Sequence, residues 1–199
     1  MKSKYALVGV GVVIGLVLVF GGWWFSQRNY SYQGSLIDPP VPAADFTLTD
    51  QNGNPFRLSD QQGKITMIFF GYTHCPDVCP VTLSEFKQIK QQLRDKASGV
   101  EFVFITVDPE RDTPDVLARY VPSFDPSFIG LTGSAAELQS VYKSYGVYAQ
   151  KQEDDGQGNY SMDHTARTYL VDQQGNWRLT YPFGIEVSQV VDDLDHLLQ

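Results

Sequence analysis

The stretch from Ile65 to Pro80 constrains this chain more than any other. It opens with the uncharged run Ile65-Thr66-Met67-Ile68-Phe69-Phe70, short and rich in β-branched and aromatic residues, which reads as a buried strand. The run passes directly into Gly71-Tyr72-Thr73-His74-Cys75-Pro76-Asp77-Val78-Cys79-Pro80. Pro80 suits the first position of a helix, where the missing N–H has no partner to lose. A strand therefore turns into a helix, and the turn holds both cysteines of the chain, each followed by proline. The partial positive charge at a helix N-terminus favours thiolate, which is both the nucleophile of disulfide exchange and a ligand for soft metals.

The same strand-to-helix pattern repeats downstream. The helix after Pro80 carries Leu83, Phe86, Ile89 and Leu93 on one face, with Thr82 and Glu85 as a capping box and Gly99 at its exit. Glu101–Val107 is a second buried strand, followed by an acidic loop in which Thr113-Pro114 opens a short helix through Leu117 and Tyr120. Phe128–Leu131 is a third strand, and Ser134 with Glu137 caps a helix that ends near Gly146. Val147–Gln150 reads as extended, and Glu153–Asn159 as an acidic, glycine-rich loop. Thr168–Val171 and Trp177–Thr180 form a hairpin, and a final amphipathic helix carries Val187, Val190, Val191, Leu194 and Leu198. Ahead of all this, Phe46–Thr49 and Pro55–Leu58 are short strands about an Asn52-Gly53 turn. Strands alternating with helices predict an α/β domain. Its layout is that of a thioredoxin-like fold with a central mixed sheet and extra N-terminal strands. Sites in open α/β sheets gather at the carboxyl ends of strands, which is where the cysteine turn falls.

Residues from Tyr5 to Phe25 carry no charge. A helix of that length spans about 30 Å, the hydrocarbon thickness of a bilayer. Trp23 and Trp24 suit the membrane interface, and Lys2 and Lys4 hold the N-terminus in the cytoplasm. No Ala-x-Ala site follows, so an uncleaved anchor is preferred to a secretory signal. The expected organisation is an anchor over 1–25, a proline-bearing tether over 26–43 and a folded domain over 44–199. The expected place is the bacterial inner (plasma) membrane, single-pass, with the domain facing the periplasm or outside. That compartment tolerates disulfides, so Cys75 and Cys79 can pair when no metal is held. The formal net charge of −8 argues against nucleic acid as a partner.

With three residues between them, Cys75 and Cys79 can aim both sulfurs at one point, to hold a metal or to close a disulfide. A metal wants a third ligand, and the chain has three histidines. His74 adjoins Cys75 and reads as a surface residue, and His196 as a solvated position in the last helix. His164, in Ser161-Met162-Asp163-His164-Thr165, precedes the Tyr169 strand. In a thioredoxin-like layout that loop faces the cysteine turn. Two thiolates and an imidazole make a soft site suited to copper, zinc or iron. A closed structural zinc site would want a fourth ligand.

Three segments together resemble the Sco/SenC family. They are Cys75-Pro76-Asp77-Val78-Cys79-Pro80, Val107-Asp108-Pro109-Glu110-Arg111-Asp112-Thr113, and Asp163-His164-Thr165 before Tyr169-Leu170-Val171-Asp172. One departure is Ala166-Arg167-Thr168, less apolar than that family's pattern, which blurs the start of the strand. The resemblance implies a membrane-anchored copper chaperone with Cys75, Cys79 and His164 as ligands of Cu(I) or Cu(II). It implies the copper-binding subunit of cytochrome c oxidase as partner, its dinuclear copper centre as destination, and a copper donor upstream. The resemblance points to a metallochaperone rather than an enzyme, with thiol-disulfide oxidoreductase activity left open and no catalytic residue assigned. The acidic residues Asp77, Asp108, Glu110 and Asp112 are expected in capping, hydrogen bonding or solvated loops rather than docking. The alternative is a thiol-disulfide reductase that keeps the oxidase cysteines reduced, with Cys75 attacking and Cys79 resolving.

Overall fold

The computed structural model describes residues 11–22, 30–153 and 160–199. The chain divides into two compact units, Met1–Tyr32 and Gln33–Gln199. In the first, residues 11–22 are helical (α1), and the apolar side chains from Val12 to Phe20 are exposed. Among the described residues no helix is long and apolar enough to cross a membrane. The expected anchor over 1–25 extends at both ends into residues that lie outside the described ones.

The second unit is built on an eight-stranded mixed sheet in the order β1-β10-β9-β4-β5-β6-β2-β3. Its strands are β1 (Ser35–Pro42), β2 (Thr47–Asp50), β3 (Pro55–Arg57), β4 (Ile65–Gly71), β5 (Val100–Thr106), β6 (Ile129–Thr132), β9 (Arg167–Val171) and β10 (Asn176–Pro182). Strands β7 (Ala149–Lys151) and β8 (Met162–His164) form a separate two-stranded ribbon. The helices are α2 (Val78–Leu93), α3 (Pro114–Tyr120), α4 (Ala135–Tyr145) and α5 (Val187–Leu197). Strands β4, β5 and β6 run parallel, and β9, β10, β1, β2 and β3 add antiparallel pairings on the two sides.

Burial on both faces explains the apolar run that identifies β4, all of whose residues are buried. Successive side chains alternate across the sheet. Phe69 faces α2 and α5, sharing a small cavity wall with Phe86 and Val190. Phe70 faces α4, where the rings of Tyr142 and Tyr145 both lie 6.0 Å from it. The expected caps at Thr113 and Ser134 are present: the Thr113 side chain accepts from Val116 N, and Ser134 forms a reciprocal box with Glu137.

Three expectations need correction. The tether over 26–43 is too long, because residues 35–42 form β1, paired to β10, and the folded unit begins at Gln33. Its prolines are compatible with this because β1 is an edge strand whose register shifts between Leu36 and Val41. Helix α2 begins at Val78 rather than at Pro80, so Thr82 is already inside it. The Thr82 hydroxyl donates to Val78 O (2.9 Å) and no Thr82–Glu85 capping box forms. Pro80 still falls in the first turn, where backbone N–H groups have no intrahelical acceptor. Finally, β8 forms where the sequence predicts a loop, since three residues are too few to display a period.

Candidate metal centre

Gly71 closes β4, and its lack of a side chain is required. A Cβ there would lie 2.8 Å from Cys79 Sγ and 2.8 Å from Phe104 Cε2. Gly71 O accepts from Val107 N (2.7 Å), which binds the start of the cysteine turn to the end of β5. The chain then passes buried Tyr72, whose carbonyl accepts from Cys75 N (3.3 Å). Cys75 is half-buried in the turn, and Cys79 is fully buried as the second residue of α2; both are free thiols.

Asp112 holds this turn from outside. Its carboxylate accepts from Thr73 N (3.0 Å), Thr73 Oγ1 (2.6 Å) and Thr106 Oγ1 (2.7 Å), and the residue is completely buried. Burial raises its pKa despite the hydrogen bonds from Thr73 and Thr106. Asp108 is buried as well, so neither aspartate lies on a docking surface, whereas Asp77 and Glu110 are exposed.

His164 arrives on the β7–β8 ribbon, opposite Ala149. Its Nε2 lies 3.7 Å from Cys79 Sγ. Its Nδ1 lies 3.2 Å from Thr165 O, so the ring is assigned as Nδ1–H donating to that carbonyl with the Nε2 lone pair directed at the sulfur. The imidazole is packed edge-on by Phe69 (centroids 6.1 Å) and Tyr72 (5.8 Å). Ligand atoms of Cys75, Cys79 and His164 all lie within 4.8 Å of one another. The structure thus brings together residues separated by 85 positions in the chain. It leaves His74 exposed at the turn, against Thr73 Oγ1, and His196 half-buried on α5.

The electrostatics modify the expectation that the helix N-terminus favours thiolate. Burial, with Cys75 adding to it, pushes the Cys79 thiol far above the ordinary range. Burial also lowers the His164 pKa, which keeps the imidazole neutral and its lone pair free. A buried thiol that resists ionisation, a neutral imidazole and a half-buried second thiol are three soft donors facing one point. A cation there supplies the positive charge that burial denies to the thiolate, and ligand binding and proton loss are then one event.

Sequence reasoning singled out the three side chains that the fold brings together and missed what lies around them. Tyr72 packs against His164, Arg111 lies over the rings of Tyr72 and Tyr160, and Asp112 supports the cysteine side. The available signal was the run Asp108–Thr113, whose charges fall directly after the buried run Phe102–Val107 and so begin inside the domain.

A mixed sheet with a cysteine pair at its first strand–helix turn and an opposing histidine defines a thioredoxin-like protein built to hold a soft metal. The chain belongs to the SCO1/SenC family, whose model matches residues 37–199. A SCO2-like protein of Rickettsia felis is 35% identical over 185 residues, covering 89% of this chain and 90% of the relative. Bradyrhizobium japonicum ScoI, solved with copper bound, is 43% identical with a TM-score of 0.73, over 79% of this chain and 99% of that one. Apo Sco1 from Thermus thermophilus, solved in solution, is 40% identical with a TM-score of 0.76, over 85% of this chain and 98% of that one.

Proposed function

We propose that this protein is a membrane-anchored copper chaperone that delivers its cargo to the dinuclear copper centre of cytochrome c oxidase. The observation that carries the reading is the placement of His164 Nε2 3.7 Å from Cys79 Sγ, with its other nitrogen turned to Thr165 O. This makes a third soft donor out of what would otherwise be a dithiol. Copper accepts thiolate and imidazole ligands, and Cu(I) accepts low coordination. The cargo is copper, as Cu(I) or Cu(II), and the ligands are Cys75, Cys79 and His164. Support comes from the copper held by the Bradyrhizobium relative and from the oxidase-assembly role implied by the family resemblance.

Transfer proceeds by ligand exchange. Half-buried Cys75 marks the open side, where a thiolate or imidazole of the oxidase copper-binding subunit enters. His164 leaves first, being neutral and carried on the separate β7–β8 ribbon, and Cys79 last, being fully enclosed. A donor protein reloads the site by the reverse sequence. The anchor is residues 1–25, of which the described part is helical and apolar, and it holds the domain at the outer surface of the bacterial inner membrane.

The test is copper binding and oxidase assembly in His164→Ala. Tight Cu(II) binding and oxidase assembly should both be lost while disulfide exchange by the two cysteines persists. Normal assembly in that variant would overturn the delivery reading and leave the reductase. The reductase remains the second reading because Cys75 and Cys79 are both free thiols with their sulfurs within 4.8 Å.

A further inference from the structure

The site is assembled from two halves on separate elements, and one short segment touches both. Between Thr106 and Asp112 the chain holds the cysteine turn through Asp112 and Thr73. The same segment holds the ribbon that carries His164. Arg111 pairs through Nε with Asp108 Oδ2 and donates from Nη1 to Tyr160 O (3.0 Å). Its guanidinium carbon lies 3.5 Å from the centre of the Tyr160 ring. The Tyr160 hydroxyl in turn donates to Asp108 Oδ1 (2.7 Å). Lys151, on β7, lies 3.9 Å from the same ring centre and pairs with Glu110. Tyr160 stands immediately before the ribbon, where Gln152 N donates to Ser161 O (2.9 Å) and Lys151 pairs with Met162. Arg111 also lies 5.8 Å from the centre of the Tyr72 ring, the ring that packs edge-on against His164.

We infer that Arg111 and Tyr160 are positioning residues that clamp the β7–β8 ribbon against the Asp108–Asp112 loop and so hold the His164 imidazole at the two sulfurs. A stacked, hydrogen-bonded Arg–Tyr pair is a stiff connection. The ribbon it secures is only two short strands, which are marginal without outside support. Without the clamp the ribbon keeps its own pairing but loses its fixed distance from the cysteine turn. The two thiols, held by Asp112 and α2, stay where they are. The clamp therefore governs one ligand of three. Cu(I), content with two thiolates, depends on it little; Cu(II), which prefers more ligands and nitrogen among them, depends on it strongly. This inference rests on the metal-site reading above.

The test uses the full chain, purified in detergent, reduced and metal-free, loaded anaerobically with Cu(II) alone or Cu(I) alone. Affinities are read by competition with a chelator, and nitrogen hyperfine coupling by electron paramagnetic resonance of the Cu(II) form. Arg111→Met and Tyr160→Phe should lower Cu(II) affinity by about tenfold to a hundredfold, the range for residues that orient a metal ligand. Both should weaken the nitrogen coupling and change Cu(I) affinity by less than about threefold. Combined with His164→Ala, Arg111→Met should add no further Cu(II) loss, because both act on one ligand. Wild-type Cu(II) affinity and coupling in both clamp variants, with loss in His164→Ala, would overturn this inference alone. Equal losses for Cu(I) and Cu(II) would also overturn it, since they mark a general loss of fold. No effect of His164→Ala on Cu(II) would overturn the metal-site reading, and this inference with it.

Discussion

The carboxylate of Asp112 accepts both the backbone N–H and the hydroxyl of Thr73, at 3.0 and 2.6 Å, across 39 positions of sequence. Two residues beyond Thr73 is Cys75, so the buried Asp112 side chain fixes the start of the turn that carries that thiol. Replacing Asp112 with Ala leaves the Thr73 N–H and the Thr106 hydroxyl without their acceptor in a buried place. The expected cost is about 2 kcal/mol or more in urea unfolding, the usual penalty for orphaned buried donors. Copper retention against a chelator should fall as well, because Cys75 loses its fixed position. Unchanged unfolding and retention would show that the turn is held by other contacts.

Gly71→Ala tests the closeness of strand and thiol. The added Cβ meets Cys79 Sγ and Phe104 Cε2, both at 2.8 Å, so one of them must move. The expected loss is about 1–3 kcal/mol, as for overpacked cores, with a folded protein that binds copper more weakly. Thermal melting and metal competition measure the two effects.

Truncation tests where the folded domain starts. A fragment beginning at Gln33 keeps β1 and the two backbone N–H groups, of Gln33 and Gly34, that donate to the buried Asp193 carboxylate at 3.0 Å. A fragment beginning at Ala44, the boundary suggested by the prolines, loses both and bares the edge of β10. The first should be soluble and melt as one cooperative unit. The second should melt lower and aggregate, as seen by light scattering; equal melting of the two would contradict the role of β1.

Stability of the metal-free, reduced protein should fall in alkali. The Cys79 thiol has its pKa raised by burial, while in the unfolded chain it ionises near the ordinary value of about 8.5. Above that pH the unfolded state has lost the proton that the folded state keeps, so unfolding becomes more favourable as pH rises. This contribution is fully present below about pH 8.5 and is lost progressively above it. Melting temperatures from pH 7 to 10 should show a decline that Cys79→Ser lessens. An identical decline in the variant would assign the effect to other groups.

Much of this molecule was legible in its sequence, for identifiable reasons. The strand β4 was readable because a strand buried on both faces must be apolar throughout. The caps at Thr113 and Ser134 were readable because capping is a local bargain among three or four neighbouring residues. Strand β1 was not, because its prolines speak for a tether unless the partner strand β10 is known. The start of α2 was misplaced because Pro80 is acceptable anywhere in the first turn.

The sequence by itself singled out the candidate donors: two cysteines at a strand–helix turn, and a histidine before a strand that a thioredoxin-like layout places opposite them. It determined that the charges after β5 begin beside an apolar strand, though not what they do. Only the tertiary structure decided which nitrogen of His164 faces Cys79, that burial holds the Cys79 thiol protonated, and that Asp112 and Arg111 each secure one half of the site. The reason is range. Period, capping and turn chemistry act over a few residues and are written in order along the chain. Desolvation and hydrogen bonds between Thr73 and Asp112, or Arg111 and Tyr160, exist only after distant segments have met.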